Sequence, residues 1–595
     1  MGRYNLLDEK WITVLRKDSG ETENVSLLNL FEHAGEYRAL AGEMEVQNFA
    51  ILRVLLAVLT TVFTRVDAKG EAYEWLQLDS SDKLIVEEAV DEDDEEDFTE
   101  ALEDTWKDIW EGHCFPSVVC QYLKAWHDRF YLLDDKYPFF QVTKKDLVDR
   151  LPKGKNGTQF AGKQLNRMIS ESNNKEAIFA PVAGQGKSRM TEAELARWLI
   201  TMQGYIGTAD KAKFPKESKE KDSKGWLYDI GGIYMAGEDL FETLWMNTML
   251  YHIEDDVRYT ITPQSPCWED IPSERLQAIL EGRPLKNLAA LYTLWSRAAY
   301  ISPAWAADKD VSVEAVKLTE IIHENAFLEP MTLWSYNKTR EHKNKFMPRA
   351  HKPMQALWRS FGLLIPERGN VEAKRPGIMV YYHRIAKFMD NPMVKLHAVS
   401  MLPDGNATSW MPIDEISDML SLNEIILTDD KDNGWSGRVR NIVAETKNIV
   451  ETVYNRFLNN IAKIRLNPKN KKIGVFVEKE QAGLYEKIDY PFREWLWRIQ
   501  PDDDKAAKES LWKKELYGIA LRDAEKLMKH LTPRDYKGEE NCITAYQAFK
   551  RELYKKLLPD GNCSDPIKLD LVIRVVIYCP DIFMPRNACT YTVQD

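Results

Sequence analysis

The sequence predicts an α+β chain, with a large mixed N-terminal domain, mostly irregular or helical with small sheets, followed by a C-terminal four-helix bundle. Three patterns carry this expectation. Between about 437 and 558, four segments repeat apolar residues at three- and four-residue spacing with short polar links, the pattern of packed amphipathic helices. Glu43–Arg65 is apolar on nearly every face and reads as a buried core helix. Before 430 the remaining apolar runs are short and bounded by turn residues, and no solenoid-length repeat recurs.

Taken in order, residues 4–16 read as a short strand pair, followed by a turn at Asp18-Ser19-Gly20. Ser26 precedes LLNLFEHA and is placed to cap a helix. The acidic run Asp91–Asp97 reads as a hydrated loop or linker, because like charges repel. Helical periodicity returns over 99–132. An irregular region then spans about 135–270, and two of its parts stand out: Ser170–Gln185, and the Gly- and Lys-rich Gln203–Gly237. Loops of such length inside a folded body are usually functional or disordered. Residues 328–410 read as mixed structure, with turns at Pro330, Pro348, Pro366 and Asp404-Gly405. The bundle opens with Ile449, Val450, Val453, Tyr454, Phe457, Leu458, Ile461 and Ile464, and continues through 492–499, 511–531 and 543–557. The expected domains are therefore 1–430, 437–558 and a C-terminal extension, 559–595, which carries the β-branched run Leu569–Tyr578.

Composition narrows the function. Across 595 residues, 80 Lys and Arg face 93 Asp and Glu, a net charge of −13. A protein that coats nucleic acid over its whole surface is excluded, whereas a local basic face on an acidic body is not. The seven cysteines are odd in number and form no CxxC pair, which argues against a disulfide framework or a zinc ribbon. With no signal-peptide layout and no uninterrupted apolar span, the chain is expected to be reduced, cytoplasmic and not membrane-bound. No phosphate-loop, HExxH, GxSxG or dinucleotide-binding pattern occurs, and the ten histidines are scattered. The expectation is a non-enzyme with no catalytic residue, metal or cofactor.

Positive charge is concentrated locally. Six basic residues, including Lys338, Lys343 and Lys345, face one acid between Lys338 and Lys352. Six lysines face three acids between Lys211 and Lys224, and ten basic residues face three acids between Arg438 and Lys479. Phosphate binding requires such local excess, since each neutralised phosphate releases counterions. The glycines of 203–237 would let backbone approach a groove closely. A protein-only scaffold, whose basic runs meet acidic partner surfaces, is the alternative reading.

The opening YNLLDEKWITV, the stretch SLLNLFEHAGEYRALAGEMEVQNFAILRVLLAVL, then FYLLDDKYPFFQV, ISESNNKEAIFAP, WLYDIGGIYMAGEDLFETLWMN and EPMTLW…FMPRAHKPMQALWR resemble the large subunit of type I-E Cascade, the CasA family of CRISPR surveillance complexes. The resemblance runs over about residues 3–558. It implies a subunit at the 5′ end of a guide RNA, among other Cascade subunits. Such a subunit recognises the protospacer-adjacent motif (PAM) of double-stranded DNA from the minor groove and starts unwinding. It then helps hold the displaced strand and docks a helicase–nuclease. Carried across by position, the family's exposed loop aromatic is Phe179, its glycine loop falls at Gly204 and Gly207, and its wedge falls at Asn406 on the tip 402–407. The position of its minor-groove lysine is Met331, with Lys338 as the nearby substitute. Arg438, Arg440, Arg456, Lys463 and Arg465 are then expected to favour the freed strand.

Overall fold

The computed structural model describes residues 2–171, 176, 180–215, 224–252, 260–318, 328–338, 345–389, 393–405, 411–466, 472–529, 531–536 and 541–558. The chain divides into two compact units, Met1–Glu445 with Asp489–Lys505, and Thr446–Ile488 with Ala506–Asp595. The expected extension 559–595 lies outside the described residues.

At the centre of the first unit is the helix Glu45–Phe63, all of which is buried after its first residue. It passes a length and composition test for a membrane span, yet its apolar window is wholly inside the protein. Glu192–Tyr205 and Leu288–Tyr292 pack on it. Small sheets surround this core. Ile12–Arg16 is the middle strand between Thr22–Val25 and Tyr37–Leu40, and Ser312–Lys317 lies between Arg297–Tyr300 and Thr158–Ala161. Met393–Pro403 pairs on one side with Pro412–Asn423 and on the other with Gly232–Ala236. Three two-stranded ladders complete the described sheets, among them Trp334–Asn337 with Lys345–Pro348.

Local chemistry explains several boundaries. Ser26 caps its helix by accepting from the Asn29 amide, as expected. Thr191 and Glu194 form a reciprocal capping box at the start of Glu192–Tyr205. The acidic run is not a linker: it forms a short turn at Glu92–Asp94 and then the first turn of the helix Glu95–Gly112. Negative charge there opposes the positive end of the helix dipole, which is why repulsion does not melt it. The expected strand pair at 4–16 is also corrected. Arg3–Asn5 pairs with Tyr131–Leu133, whereas Ile12–Arg16 joins a different sheet. The supposedly irregular region 135–270 contains helices at Lys144–Arg150, Glu192–Tyr205 and Leu240–Asn247 and strands at Thr158–Ala161 and Gly232–Ala236. The helices carry local caps, but the strands pair with segments far along the chain, Ser312–Lys317 and Met393–Pro403, so short-range periodicity missed them.

In the second unit, Thr446 continues through a wide turn at Ile449–Tyr454 into the helix Asn455–Leu466, and helical segments from Lys472–Trp497 and Lys505–Met528 join Cys542–Leu557. Phe457 stacks on Phe549 with ring centroids 4.8 Å apart. The buried Tyr454 hydroxyl donates to Asp523 at 2.7 Å, and Lys487 also bonds that carboxylate. The C-terminal region is thus helical, with an aromatic and ionic core.

A buried histidine makes the long hairpin pH-sensitive. His397, on Met393–Pro403, shares hydrogen bonds with the Tyr234 hydroxyl and, at 3.0 Å, with Ser417 Oγ. Burial pulls its pKa from 6.5 down to about 4, against the opposing charge of Asp418. Its folded form is therefore neutral, while the unfolded chain takes up a proton as pH falls through 6.5. Stability is fully present above that value and is lost progressively towards pH 4, a difference of about 3 kcal/mol. Urea midpoints at pH 7.5 and 5 are expected to converge in His397→Gln relative to the parent; an equal pH slope in both would refute the assignment.

Candidate nucleic-acid interface

Three segments singled out in the sequence meet in the first unit. After the short helix Gly162–Leu165 the chain reaches Ser170, whose φ of +47° turns it sharply and whose Oγ donates to the Pro412 carbonyl at 2.6 Å. Pro412 opens the return strand of the long hairpin, so the root of 170–185 is tied to the root of the 404–411 connection. Glu171 next to it accepts from Lys163 and Lys187 at 2.7 and 2.6 Å. The third segment enters through Tyr228. Burial and Asp229 raise its hydroxyl pKa, Arg167 lowers it, and Asp404 raises it again, which puts Asp404 of the hairpin and Arg167, three residues before Ser170, within electrostatic reach of one ring. Lys224 lies over the same ring at 5.4 Å from the centroid and pairs with Asp229.

The hairpin forms where expected, but its end is not a two-residue Asp-Gly turn. Pairing runs to Pro403 opposite Pro412, past an irregularity between Leu402 and Pro403, and the Asp404 amide donates to Met411 O at 2.8 Å. Gly405 sits at φ +78°, a conformation that favours glycine. The connection is therefore longer than the expected tip. Asn406 lies outside the described residues, as do Phe179 and Lys343.

Gly204 and Gly207 do not form an exposed loop. Gly204 lies in the last turn of Glu192–Tyr205, where an added Cβ would stand 2.7 Å from Leu227 Cδ1. A Cβ on Gly225 would meet Gly204 O at 2.2 Å, so both glycines serve close packing between the helix end and the 225–228 turn. Gly207 is buried, and its carbonyl accepts from Arg297 Nη2 at 2.6 Å. Arg297 also pairs with Asp210, both side chains being fully buried. Met331 is likewise buried, with its amide donating to Glu329. Glu329 holds Arg53 through two bonds of 2.7 Å and accepts from Trp226 Nε1 at 2.7 Å. The segment aligned with the family's lysine is thus anchored in the core.

The cations are divided. Lys338 is exposed, follows the strand Trp334–Asn337 and pairs with Glu372 at 2.6 Å; Lys345 begins the facing strand and is exposed. Arg440 belongs to the first unit, near Arg375 and Arg368. Burial pulls Arg375 down, Asp430 pulls it up, and Arg368 and Arg440 add repulsion. Arg438 donates to Asn433 O at 3.1 Å. In the second unit Arg456 pairs with Glu552 at 2.7 Å and Arg465 with buried Asp535 at 2.8 Å, so these two have internal partners; Lys463 is exposed. Among the described residues, His113, Asp239 and Glu242 are grouped as metal ligands can be. Lys17 Nζ already lies 2.8 Å from Asp239, whose other oxygen caps a helix through the Glu242 amide.

Sequence reasoning overlooked Arg167, Ser170 and Tyr228. Arg167 is a single cation among apolar neighbours in LNRMIS, and no spacing marks it. It is 6% exposed, and burial brings its pKa down to about 10.

The architecture defines a class: large α+β proteins with several small sheets around a core helix and a helical C-terminal region. Residues 5–522 match the family described as CRISPR-associated protein Cse1, and the chain belongs to that family. A curated relative, CRISPR-associated protein CasA/Cse1 of Thermus thermophilus, is 21% identical over 382 residues, 62% of this chain. That match spans 61% of the relative's length. The crystal structure of Thermobifida fusca Cse1 superposes with a TM-score of 0.69 at 22% identity, covering 93% of this chain and 98% of that one. A chain of a structure titled CRISPR RNA-guided surveillance complex superposes at 0.65 with 14% identity, covering 93% and 100%.

Proposed function

We propose that this chain is the large, non-enzymatic subunit of a CRISPR RNA-guided surveillance complex, and that it recognises a short motif in duplex DNA from the minor groove and opens the first base step. The observation that carries the reading is the Ser170–Pro412 tie at the root of the long hairpin, with Arg167 and Asp404 both within electrostatic reach of Tyr228. A long, well-paired hairpin is a stiff lever, and its tip is where a wedge would work. The minor groove offers a degenerate donor and acceptor pattern, so a reader there tolerates several motifs and leaves sequence proper to guide pairing. Other subunits and the guide RNA 5′ end are the partners within the complex; the displaced strand and a helicase–nuclease follow after opening.

Unstacking costs a few kcal/mol per step, offset by guide pairing that is near balance with the duplex it replaces. Asn406→Ala in the assembled complex is expected to weaken binding to closed duplex about tenfold, equivalent to ~1.4 kcal/mol, and to leave binding to a pre-opened bubble nearly unchanged. Equal loss on both substrates would rule out a wedge.

A further inference from the structure

The turn 366–376, PERGNVEAKRP, joins two basic segments that lie far apart in the sequence. On one side Glu372 holds Lys338 at 2.6 Å, and Lys374 lies over the Trp334 ring, 5.9 Å from its centroid. On the other side Asp430 accepts from Arg368 at 3.0 Å, and the Arg375 guanidinium stands 3.9 Å from its second oxygen. Arg440 comes from the helix Trp435–Asn448, a few residues after Asp430. Its Cγ lies 3.9 Å from where a Cβ on Gly362 would stand, in the short helix Phe361–Leu364 that leads into the turn, and its charge repels Arg375.

Three guanidiniums are thus gathered about one carboxylate. Among the described residues Arg375 has no closer acid and Arg440 has no ion pair. The neighbouring Asp429 is already taken, by Lys505 at 2.6 Å and the Trp435 amide at 3.0 Å. Over the whole face five cations, Lys338, Arg368, Lys374, Arg375 and Arg440, stand against three acids, Glu367, Glu372 and Asp430. The cluster is open to water: the Arg368 side chain is 72% exposed, and those of Arg375 and Asp430 are 18% and 19% exposed.

One negative charge cannot pair closely with three positive ones, so a further anion would relieve the repulsion that the fold leaves in place. The planar forks of Arg368 and Arg375 suit the two free oxygens of a phosphodiester. The turn carries no aromatic residue on which an unpaired base could stack, so it is fitted to hold backbone and not base. We propose that Arg368, Arg375 and Arg440, gathered on Asp430, form a clamp for a backbone phosphate of the target duplex. This assignment rests on the duplex-binding reading above, and it gives Arg440 to the duplex and not to the freed strand.

The test uses the guide-loaded complex with the parent chain, Arg368→Lys, and a double variant, Arg368→Gln with Arg440→Gln. Binding to closed duplex, to duplex with a pre-opened bubble and to single-stranded DNA is measured across a salt series, together with guide RNA content and thermal unfolding of the free chain. The double variant is expected to weaken closed duplex and bubble alike by about tenfold, and to reduce the slope of log affinity against log salt by about 0.9, one phosphate's worth. The preference among flanking motifs stays as in the parent, because phosphate contacts carry no sequence information. Arg368→Lys keeps the slope and loses only part of the affinity. The free double variant melts close to the parent temperature, because exposed ion pairs contribute little. Unchanged affinity and slope in the double variant would overturn the proposal while leaving duplex recognition standing. A loss confined to closed duplex would tie these arginines to opening, a loss confined to single-stranded DNA would give the phosphate to the displaced strand, and a loss of guide RNA would give it to the guide; each overturns the assignment. Lower melting of the free chain in step with weaker binding would make the cluster structural, with the same consequence. A parent complex that fails to bind duplex at all would bring down the underlying reading, and this inference with it.

Discussion

Glu329→Gln is expected to destabilise the first unit by about 3–5 kcal/mol, the usual cost of breaking a buried ion pair from one side. Arg53 is enclosed on the core helix, lies over the Tyr292 ring at 4.5 Å, and has both carboxylate oxygens of Glu329 as its charge partner. The amide keeps the shape but removes the charge, leaving a guanidinium in the interior. Trp226 and the Met331 amide also depend on that carboxylate, so the 225–228 turn and the 328–334 run should loosen together. Urea unfolding measures the loss. Replacing both partners by methionine is expected to recover most of it, since an apolar pair of similar volume is often neutral or better. A loss below about 1 kcal/mol in the single variant would show that the pair is not the anchor claimed.

Arg297→Met is the second large effect. Arg297 bridges Asp210, the Gly207 carbonyl and the Ser296 carbonyl, with the last two bonds at 2.6 and 2.7 Å. Without it, Asp210 keeps Lys317 at 3.8 Å, a poorer partner in a fully buried position. The expected destabilisation is about 3 kcal/mol. Its local signature is more distinctive than its size. Amide exchange at 206–215 should accelerate well before the core helix 45–63 opens, because the bonds to Asp210 and Gly207 fasten that segment. Uniform acceleration across both would place Arg297 in the general core and not at the segment's root.

These anchors also explain which parts of the fold were legible in the sequence. Glu45–Phe63 was readable because burial on every face leaves a composition that few other elements share. The hairpin was readable from Asp404-Gly405, although its extent was not, since register depends on partner strands such as Gly232–Ala236 far away in sequence. Gly204 and Gly207 were misread because glycine serves two needs that look alike in sequence: a left-handed backbone, and close approach to a neighbour. Here Gly204 answers the second, against Leu227. Charge runs suffered a similar limit. Lys338, Arg456 and Arg465 look free in the sequence, yet their partners Glu372, Glu552 and Asp535 are distant along the chain. Arg167 was invisible for the opposite reason: what marks it is burial, a property only three-dimensional structure reveals.

The central claim is that this chain brings sequence-sensitive duplex binding to a guide-loaded assembly. The most direct measurement is equilibrium binding of complexes with and without the chain to a duplex library randomised beside the guide-matched site. With the chain present, affinity should rise and should rank the library by the few base pairs flanking the match; without it, that ranking should vanish. The same ranking and the same affinity in both assemblies would contradict the claim.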